Sequence, residues 1–375
     1  MNLLKRFSVF LILASFAGTA FALEITGQAP TLGTSSSDQE IIDLVESIQG
    51  DFDDAWETMM NELDDEIGGI KIKPSKIIKA FADTSVYTSQ GASQRAFGDY
   101  KLFAFTLGPS IGVHIPSSKF RNIVKDFEGI EDKVLDEGDL DIGLNIQMFN
   151  GQISINTSKF LVDRLYLGFH FGYFNLRYFD DLTFKTTNLG PMLSFQFIKG
   201  FDVGVFRWRG ITATSGIIYQ STKLGYRYDF NIDPVTFSDG RESDGGLLQV
   251  DPRLVLDMNI KTCVIPLEVN TAVQLLWFLN MNMGFGVDLA FGKNSTSFGL
   301  DTNIDVSSKN YDLYETGGYL RVRAGGTMHP KFFNPKFMFN PGFKFGPVVL
   351  DIPISYYFAR DSKNVSLGVT LGAVW

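Results

Sequence analysis

Apolar residues recur at every second position over most of the chain from residue 101 onward. At the C-terminus Val365, Leu367, Val369, Leu371, Ala373 and Trp375 share one parity, and Ser366, Gly368, Thr370 and Gly372 share the other. Val348, Leu350, Ile352, Ile354, Tyr356 and Phe358 form a second such run, joined to the first by the polar turn Arg360-Asp361-Ser362-Lys363-Asn364. The stretches 103–115, 140–148, 165–173, 189–197, 248–258 and 281–289 alternate in the same way. Each is close to the roughly nine to eleven residues that a tilted strand needs to cross a bilayer. No run of about 18 apolar residues follows Ala22, which removes a helical membrane protein and leaves a closed barrel.

The expected fold class is therefore all-β, a transmembrane antiparallel β-barrel. A soluble sandwich is the alternative. It is disfavoured because charges and glycines persist in mid-strand on the polar parity while Phe, Leu and Val crowd the other. Dividing residues 101–375 by roughly twenty residues per strand and connection gives about fourteen strands, with twelve possible. Polar stretches at 116–139, 229–244 and 292–315 are the expected extracellular loops.

Residues 1–22 have the form of a signal peptide. Lys5 and Arg6 precede the apolar stretch from Phe7 to Phe16, and Ala20-Phe21-Ala22 offers the small-x-small cleavage pattern. Residues 23–100 do not alternate, and read as an N-terminal plug or periplasmic segment that is partly helical. After a Ser/Thr-rich stretch at 31–38, Ser37 or Asp38 can cap a helix over 38–67. Its apolar positions are Ile41, Leu44, Val45, Ile48, Phe52, Trp56, Met59, Leu63 and Ile67, its other face is acidic, and Gly68-Gly69 ends it. A helix that packs on the barrel rim or on a partner is the alternative.

The 375 residues carry a net charge of −9, which gives nucleic acid no electrostatic support; 35 are Phe and one is Cys. His114, His170 and His329 lie far apart and lack metal-ligand spacing, so no metal and no cofactor is expected. Cys263 shares the parity of Ile265, Leu267 and Val269, which makes it a lipid-facing residue, not a nucleophile. No motif of an enzyme is visible. If the apolar parity faces lipid throughout, Arg207, Arg209, Arg253, Arg321, Arg323, Asp141, Asp251, Asp257, Glu268, Asp288 and Asp351 point into the lumen, since Arg or Lys facing lipid at mid-membrane costs about 2–4 kcal/mol. They form either a salt-bridge network that stiffens the lumen or a site for a carboxylate head group or ion selection, with Arg207, Arg209, Arg253, Arg321, Arg323, Asp257 and Asp288 as the ligand candidates.

The leader, the long segment before the first strand, the strand estimate and the terminal aromatic together resemble the outer-membrane long-chain fatty acid transporter family. The local echoes are Asp83-Thr84-Ser85-Val86-Tyr87 leading into Gly91-Ala92, and the stretch 349–375. The chain departs from that family's Asn-Pro-Ala hatch signature, reading Tyr87-Thr88-Ser89-Gln90-Gly91-Ala92 instead. The ending Leu371, Ala373, Trp375 is similar more broadly to the signal read by outer-membrane barrel assembly machinery in Gram-negative or spirochaete-type barrels. The resemblance implies a location in the cell outer membrane, contact with its lipid, and passive uptake of hydrophobic molecules such as long-chain fatty acids. The alternatives are a general diffusion porin for small polar solutes, which the charged parity supports, and a structural or adhesive surface barrel.

Overall fold

A computed structural model describes residues 25–68, 74–90, 100–116, 143–158, 160–178, 181–229, 233–238, 245–359 and 362–375. The expected leader at 1–22, the stretch 117–139 of the first expected loop, Asp141 and the turn residues Arg360-Asp361 lie outside the described residues. Among the described residues no helix is long and apolar enough to cross a membrane.

The alternation produces strands, and their registers close into a ring. The chain runs β1 (Ile25–Gln28), β2 (Thr31–Thr34), α1 (Gln39–Ser47), α2 (Gln49–Gly68), α3 (Pro74–Thr88), β3 (Phe103–Pro116), β4 (Gly143–Asn156), β5 (Leu165–Tyr178), β6 (Leu182–Val203), β7 (Phe206–Gly216), β8 (Ile218–Asp229) and β9 (Val235–Phe237). It continues through β10 (Gly246–Leu275), β11 (Leu279–Ser308), β12 (Leu313–Thr316), β13 (Tyr319–Met328), β14 (Phe333–Phe345), β15 (Val348–Asp351), β16 (Ile354–Phe358), β17 (Ser362–Gly368) and β18 (Thr370–Val374).

Four pairs of these are single staves with a short break: β7 with β8, β13 with β14, β15 with β16, and β17 with β18. Pro330 and Pro353, which have no N–H for the ladder, sit in two of the breaks. Counted this way, ten antiparallel staves each have two neighbours, and the last, β17 with β18, pairs with β3 to close the barrel. Ten such staves are counted among the described residues, fewer than the expected fourteen or twelve. The physical reason is length: β10 and β11 have 30 residues each, well beyond a bilayer crossing, and absorb chain that the estimate spread over further strands. The expected loop at 292–315 is accordingly strand as far as Ser308.

The belt that meets lipid is formed by outward residues such as Leu167, Phe169, Leu189, Leu193, Phe195, Leu267, Val269, Met283, Phe285, Leu367 and Leu371, all exposed. Aromatic residues ring the end that holds the C-terminus, where Trp277, Phe345 and Trp375 are exposed beside the short turns. Trp375 also closes the seam. Its N–H donates to the Phe103 carbonyl at 2.9 Å, and its own carbonyl accepts from Lys101 and Leu102 at 2.8 Å each.

At the opposite end the polarity of the strands reverses. In β10 the inward residues Leu248, Val250, Leu254, Leu256, Met258 and Ile260 are buried, while Asp251, Arg253 and Asp257 face out and are exposed. These residues stand above the lipid belt as an ordinary soluble sheet, apolar inside and charged outside. On this extension sits a small cap. β2 pairs with β12, β1 pairs with β13, and α1 and α2 lay Val45, Ile48, Phe52, Ala55, Trp56 and Met59 against Leu32, Phe237, Leu248, Val250, Val306 and Leu313. The helix expected at 38–67 is thus two helices broken at Ile48, with Asp38 capping the first by accepting from the Glu40 N–H at 3.1 Å.

Candidate functional site in the barrel lumen

The lumen is filled by α3, a helix that sequence reasoning left unseparated within residues 23–100. From Ala80 to Gln90 every side chain is buried, none more than 3 % exposed. Pro74 suits the first helical position, and the small residues Ala80, Ala82 and Ser85 let the helix lie close to the wall. Its threonine hydroxyls are satisfied within the helix: Thr84 donates to the carbonyls of Ala80 and Phe81, and Thr88 to that of Thr84. Two glycines of the wall make room for its backbone. A β-carbon at Gly143 would lie 2.3 Å from the Ala80 carbonyl oxygen, and one at Gly112 would lie 2.6 Å from Thr88 Cγ2 and 3.2 Å from the Thr84 oxygen.

Side-chain hydrogen bonds tie the helix to the staves around it. Ser85 and Thr262 share a bond at 3.1 Å, Gln220 donates to the Thr88 hydroxyl at 3.2 Å, Asn188 donates to the Ser89 carbonyl at 2.9 Å, and the Lys331 N–H donates to Asp83 at 2.8 Å. The Tyr87 and Tyr357 rings lie 4.2 Å apart.

Beside them is the one ionic cluster with both partners buried among the described residues. Lys336 of β14 places its Nζ 2.6 Å from Glu268 Oε1 of β10 and 2.8 Å from Asp288 Oδ1 of β11, and donates also to Gln90 Oε1 just after α3. Tyr357 of β16 donates to the other Asp288 oxygen at 3.0 Å. One buried ammonium that donates to Asp288 and Gln90 and pairs with the Glu268 carboxylate therefore clamps three staves and the plug.

Toward the opposite end the lumen is apolar. Ile78 and Phe81 of α3 pack on Leu182, Phe184, Leu224, Tyr226, Leu256, Met258 and Ile260, with Phe174, Leu176 and Met328 at the margin. Toward the C-terminal end many buried inward positions are amides, hydroxyls and a histidine, including Asn150, Gln152, Ser154, His170, Ser194, Thr212, Thr214 and Asn282, beside a small apolar cluster of Tyr100, Ala104, Tyr166, Val349 and Val374.

The residues singled out from sequence are scattered over this arrangement. Asp288 is in the Lys336 cluster and Arg209 is buried, donating to Gln274. Arg207 lies at the C-terminal rim, half-exposed, with Nε 2.7 Å from Asp202. Arg253 and Asp257 do not face the lumen: both are outside the barrel wall, Arg253 in an exposed pair with Asp229. The inward assignment fails there because it assumed that the apolar parity faces lipid along the whole strand, whereas residues 246–261 lie beyond the lipid. Asp251 is outside for the same reason, and Glu268 and Asp351 are buried inside. Arg321 and Arg323 lie in β13, opposite Thr26 and Gly299, and their side chains are outside the described set. Leu371 and Trp375 are exposed on the outer surface, with Ala373 between them and half-buried.

Lys336 and Tyr357 were missed. The signal was present, since Asn334, Lys336, Met338 and Asn340 alternate with Pro335, Phe337 and Phe339, and a lone cation amid Phe in such a run must point inward. Among the described residues no three His, Cys, Asp or Glu side chains are grouped to hold a metal ion.

Comparison with known proteins gives a family and distant likenesses of architecture. No curated protein matches the chain. The translocator domain of autotransporter NalP from Neisseria meningitidis is similar at 9 % identity over 80 % of this chain and 98 % of that one, with a TM-score of 0.34. The Ralstonia pickettii toluene transporter TbuX is similar at 8 % identity over 80 % and 99 %, TM-score 0.25, and a Pseudomonas aeruginosa FadL homologue at 10 % over 78 % and 98 %, TM-score 0.22. The profile of one family, described as Lsa36-like, matches residues 39–373, from the first helix of the cap to the last strand, and the chain belongs to the Lsa36-like family.

Proposed function

We propose that the protein is an outer-membrane barrel for the uptake of hydrophobic molecules, long-chain fatty acids among them, and that α3 holds its lumen closed at rest. The observation that carries this reading is the apolar wall around Ile78 and Phe81. A diffusion porin for polar solutes needs a polar water path, and here the mouth of the lumen is lined by Phe, Leu, Met and Ile instead. Displacing α3 uncovers a surface that attracts an acyl chain, with amides and hydroxyls beyond it toward the C-terminal end. In the cell, the strand ending in Leu371, Ala373 and Trp375 is the segment offered to the barrel assembly machinery, by pairing of a free strand edge.

The test uses the refolded mature chain in two settings, single-channel recording in a planar bilayer and entry of a fluorescent long-chain fatty acid into liposomes. The expected result is electrical silence with fatty acid entry above that of protein-free liposomes. Steady ohmic steps overturn the reading in favour of a porin. A second reading, a structural barrel that presents its cap, is favoured by the cap's own buried core at the end opposite the C-terminus. Silence without any fatty acid entry, in the wild type and in a variant with α3 dislodged, selects that reading.

A further inference from the structure

The outer wall carries a row of lysines at the edge of the lipid belt. Phe171, Leu189, Tyr219, Cys263 and Phe291 stand in register on adjacent staves and face outward, forming the belt's margin at the end opposite the C-terminus. The next two residue rows beyond it contain Lys185 and Lys223, opposite each other on β6 and β8, and Lys261 and Lys293, opposite each other on β10 and β11. All four are exposed, and none is within ion-pair distance of a carboxylate among the described residues. Lys185 Nζ lies over the ring of Tyr173, 6.0 Å from its centroid. With strands about 4.8 Å apart, the four span roughly 15 Å of wall.

Two directly opposed like-charge pairs in neighbouring registers are unfavourable as they stand, and a chain of net charge −9 has carboxylates available to neutralise them. Among the described residues it sets none within reach of them. The outward carboxylate in register, Asp257, lies one row farther from the belt, opposite Gly225. An open groove of about 340 Å³ lies beside Lys223, lined by Thr183 and Asn259 and, farther from the belt, by Arg227, Asp181 and Asp257. A long Lys side chain rooted at the belt margin keeps its stem on apolar surface and its ammonium at head-group depth.

We infer that Lys185, Lys223, Lys261 and Lys293 bind the phosphate groups of anionic lipid in the leaflet at the end opposite the C-terminus. The site commits to membrane lipid because the row is continuous with the surface that already contacts it. This inference rests on the membrane reading of the barrel, and its test separates the two.

The full chain is reconstituted in phosphatidylcholine vesicles containing a trace of spin-labelled phosphatidylglycerol or spin-labelled phosphatidylcholine, and the association of each label with the protein surface is measured. Insertion is scored separately, by the heat-dependent gel shift of a folded barrel. The wild type is expected to prefer the phosphatidylglycerol label. In the K185Q/K223Q/K261Q/K293Q variant that preference falls by about fivefold or more, the attraction of one lysine near an anionic surface being the least loss expected. The quadruple Lys→Arg variant keeps it, and so does K101Q/K199Q at the other end. An inserted glutamine variant with the wild-type preference overturns the inference while leaving the barrel intact. Failure of the wild type to insert overturns the membrane reading and this inference with it.

Discussion

Replacing Lys336 with Met is the most informative single change in the barrel. The side chain is fully buried, its ammonium is held between two carboxylates that are themselves 4 % and 0 % exposed, and a methionine of similar length fills the same space. The change therefore removes charge with little loss of packing. What remains is Glu268 and Asp288 facing each other in a place without water, with only Tyr357 still donating to Asp288. Removing one partner of a buried, hydrogen-bonded ion pair costs about 3–5 kcal/mol, most of it the penalty for the stranded charge. The triple variant K336M/E268Q/D288N, which removes the stranded charges as well, recovers the greater part of that loss. The assay is urea unfolding of the inserted barrel followed by tryptophan fluorescence, with the gel shift as a second probe of the folded state. A K336M protein within about 0.5 kcal/mol of wild type, the range of an ordinary surface substitution, refutes the clamp.

Three further outcomes follow from the same geometry. Val269→Arg, outward and inside the lipid belt, destabilises the inserted barrel by about 2–4 kcal/mol, whereas Val255→Arg, outward on the same strand but beyond the belt, changes it by less than about 0.5 kcal/mol; equal effects in urea titrations refute the polarity reversal. Gly143→Val sets a side chain against the Ala80 carbonyl, so hydrogen exchange across α3 rises and conductance steps appear; unchanged protection of residues 78–90 refutes the close approach. Phe52→Ala empties a fully buried site in the cap at a cost of about 3–5 kcal/mol, read as faster exchange over α1 and α2 with an unaltered gel shift; loss of the gel shift would mean that the barrel depends on the cap.

Much of the barrel was legible because period-two alternation is a local property, and each lipid-facing run such as 281–289 carries its own evidence. The number of staves was not, since it depends on where strands stop, and nothing local in residues 292–308 marks that β11 continues past the bilayer. The helix after Asp38 was readable from its cap and its apolar stripe, yet its position was not, because the surface it covers is built from residues some 200 positions later, including Leu248 and Val306. α3 was obscure for a different reason. A helix buried on all sides shows no amphipathic stripe, and Ala80 to Gln90 mixes small, polar and aromatic residues in a pattern set by the wall around it. Asp288 was placed inside correctly by parity, but its partner Lys336 lies 48 residues away and is joined to it only by folding.

The reversal of polarity along β10 and β11 also fixes where the cap stands. Their pairing runs without a shift from Gly246 with Ser308 to Leu275 with Leu279, so the pleat keeps one parity facing inward for the whole length. What changes is the company of that parity: Leu248 to Ile260 are apolar within, and Glu268, Asn270 and Gln274 are polar within. A register slip would produce the same alternation of sequence, but the unbroken ladder excludes it. The change must therefore lie in the medium outside the wall, water beside Arg253 and Asp257 and lipid beside Leu267 and Val269. The boundary falls between Lys261 and Cys263. Everything that rests on residues 246–260, namely α1, α2 and the short strands, then stands in water at the end opposite Trp375. The path from that cap to β3, whose first residues pair beside Trp375, includes α3 inside the lumen. The helix that fills the lumen is thus continuous along the chain with the cap, so a force on the cap has a covalent route to the lumen.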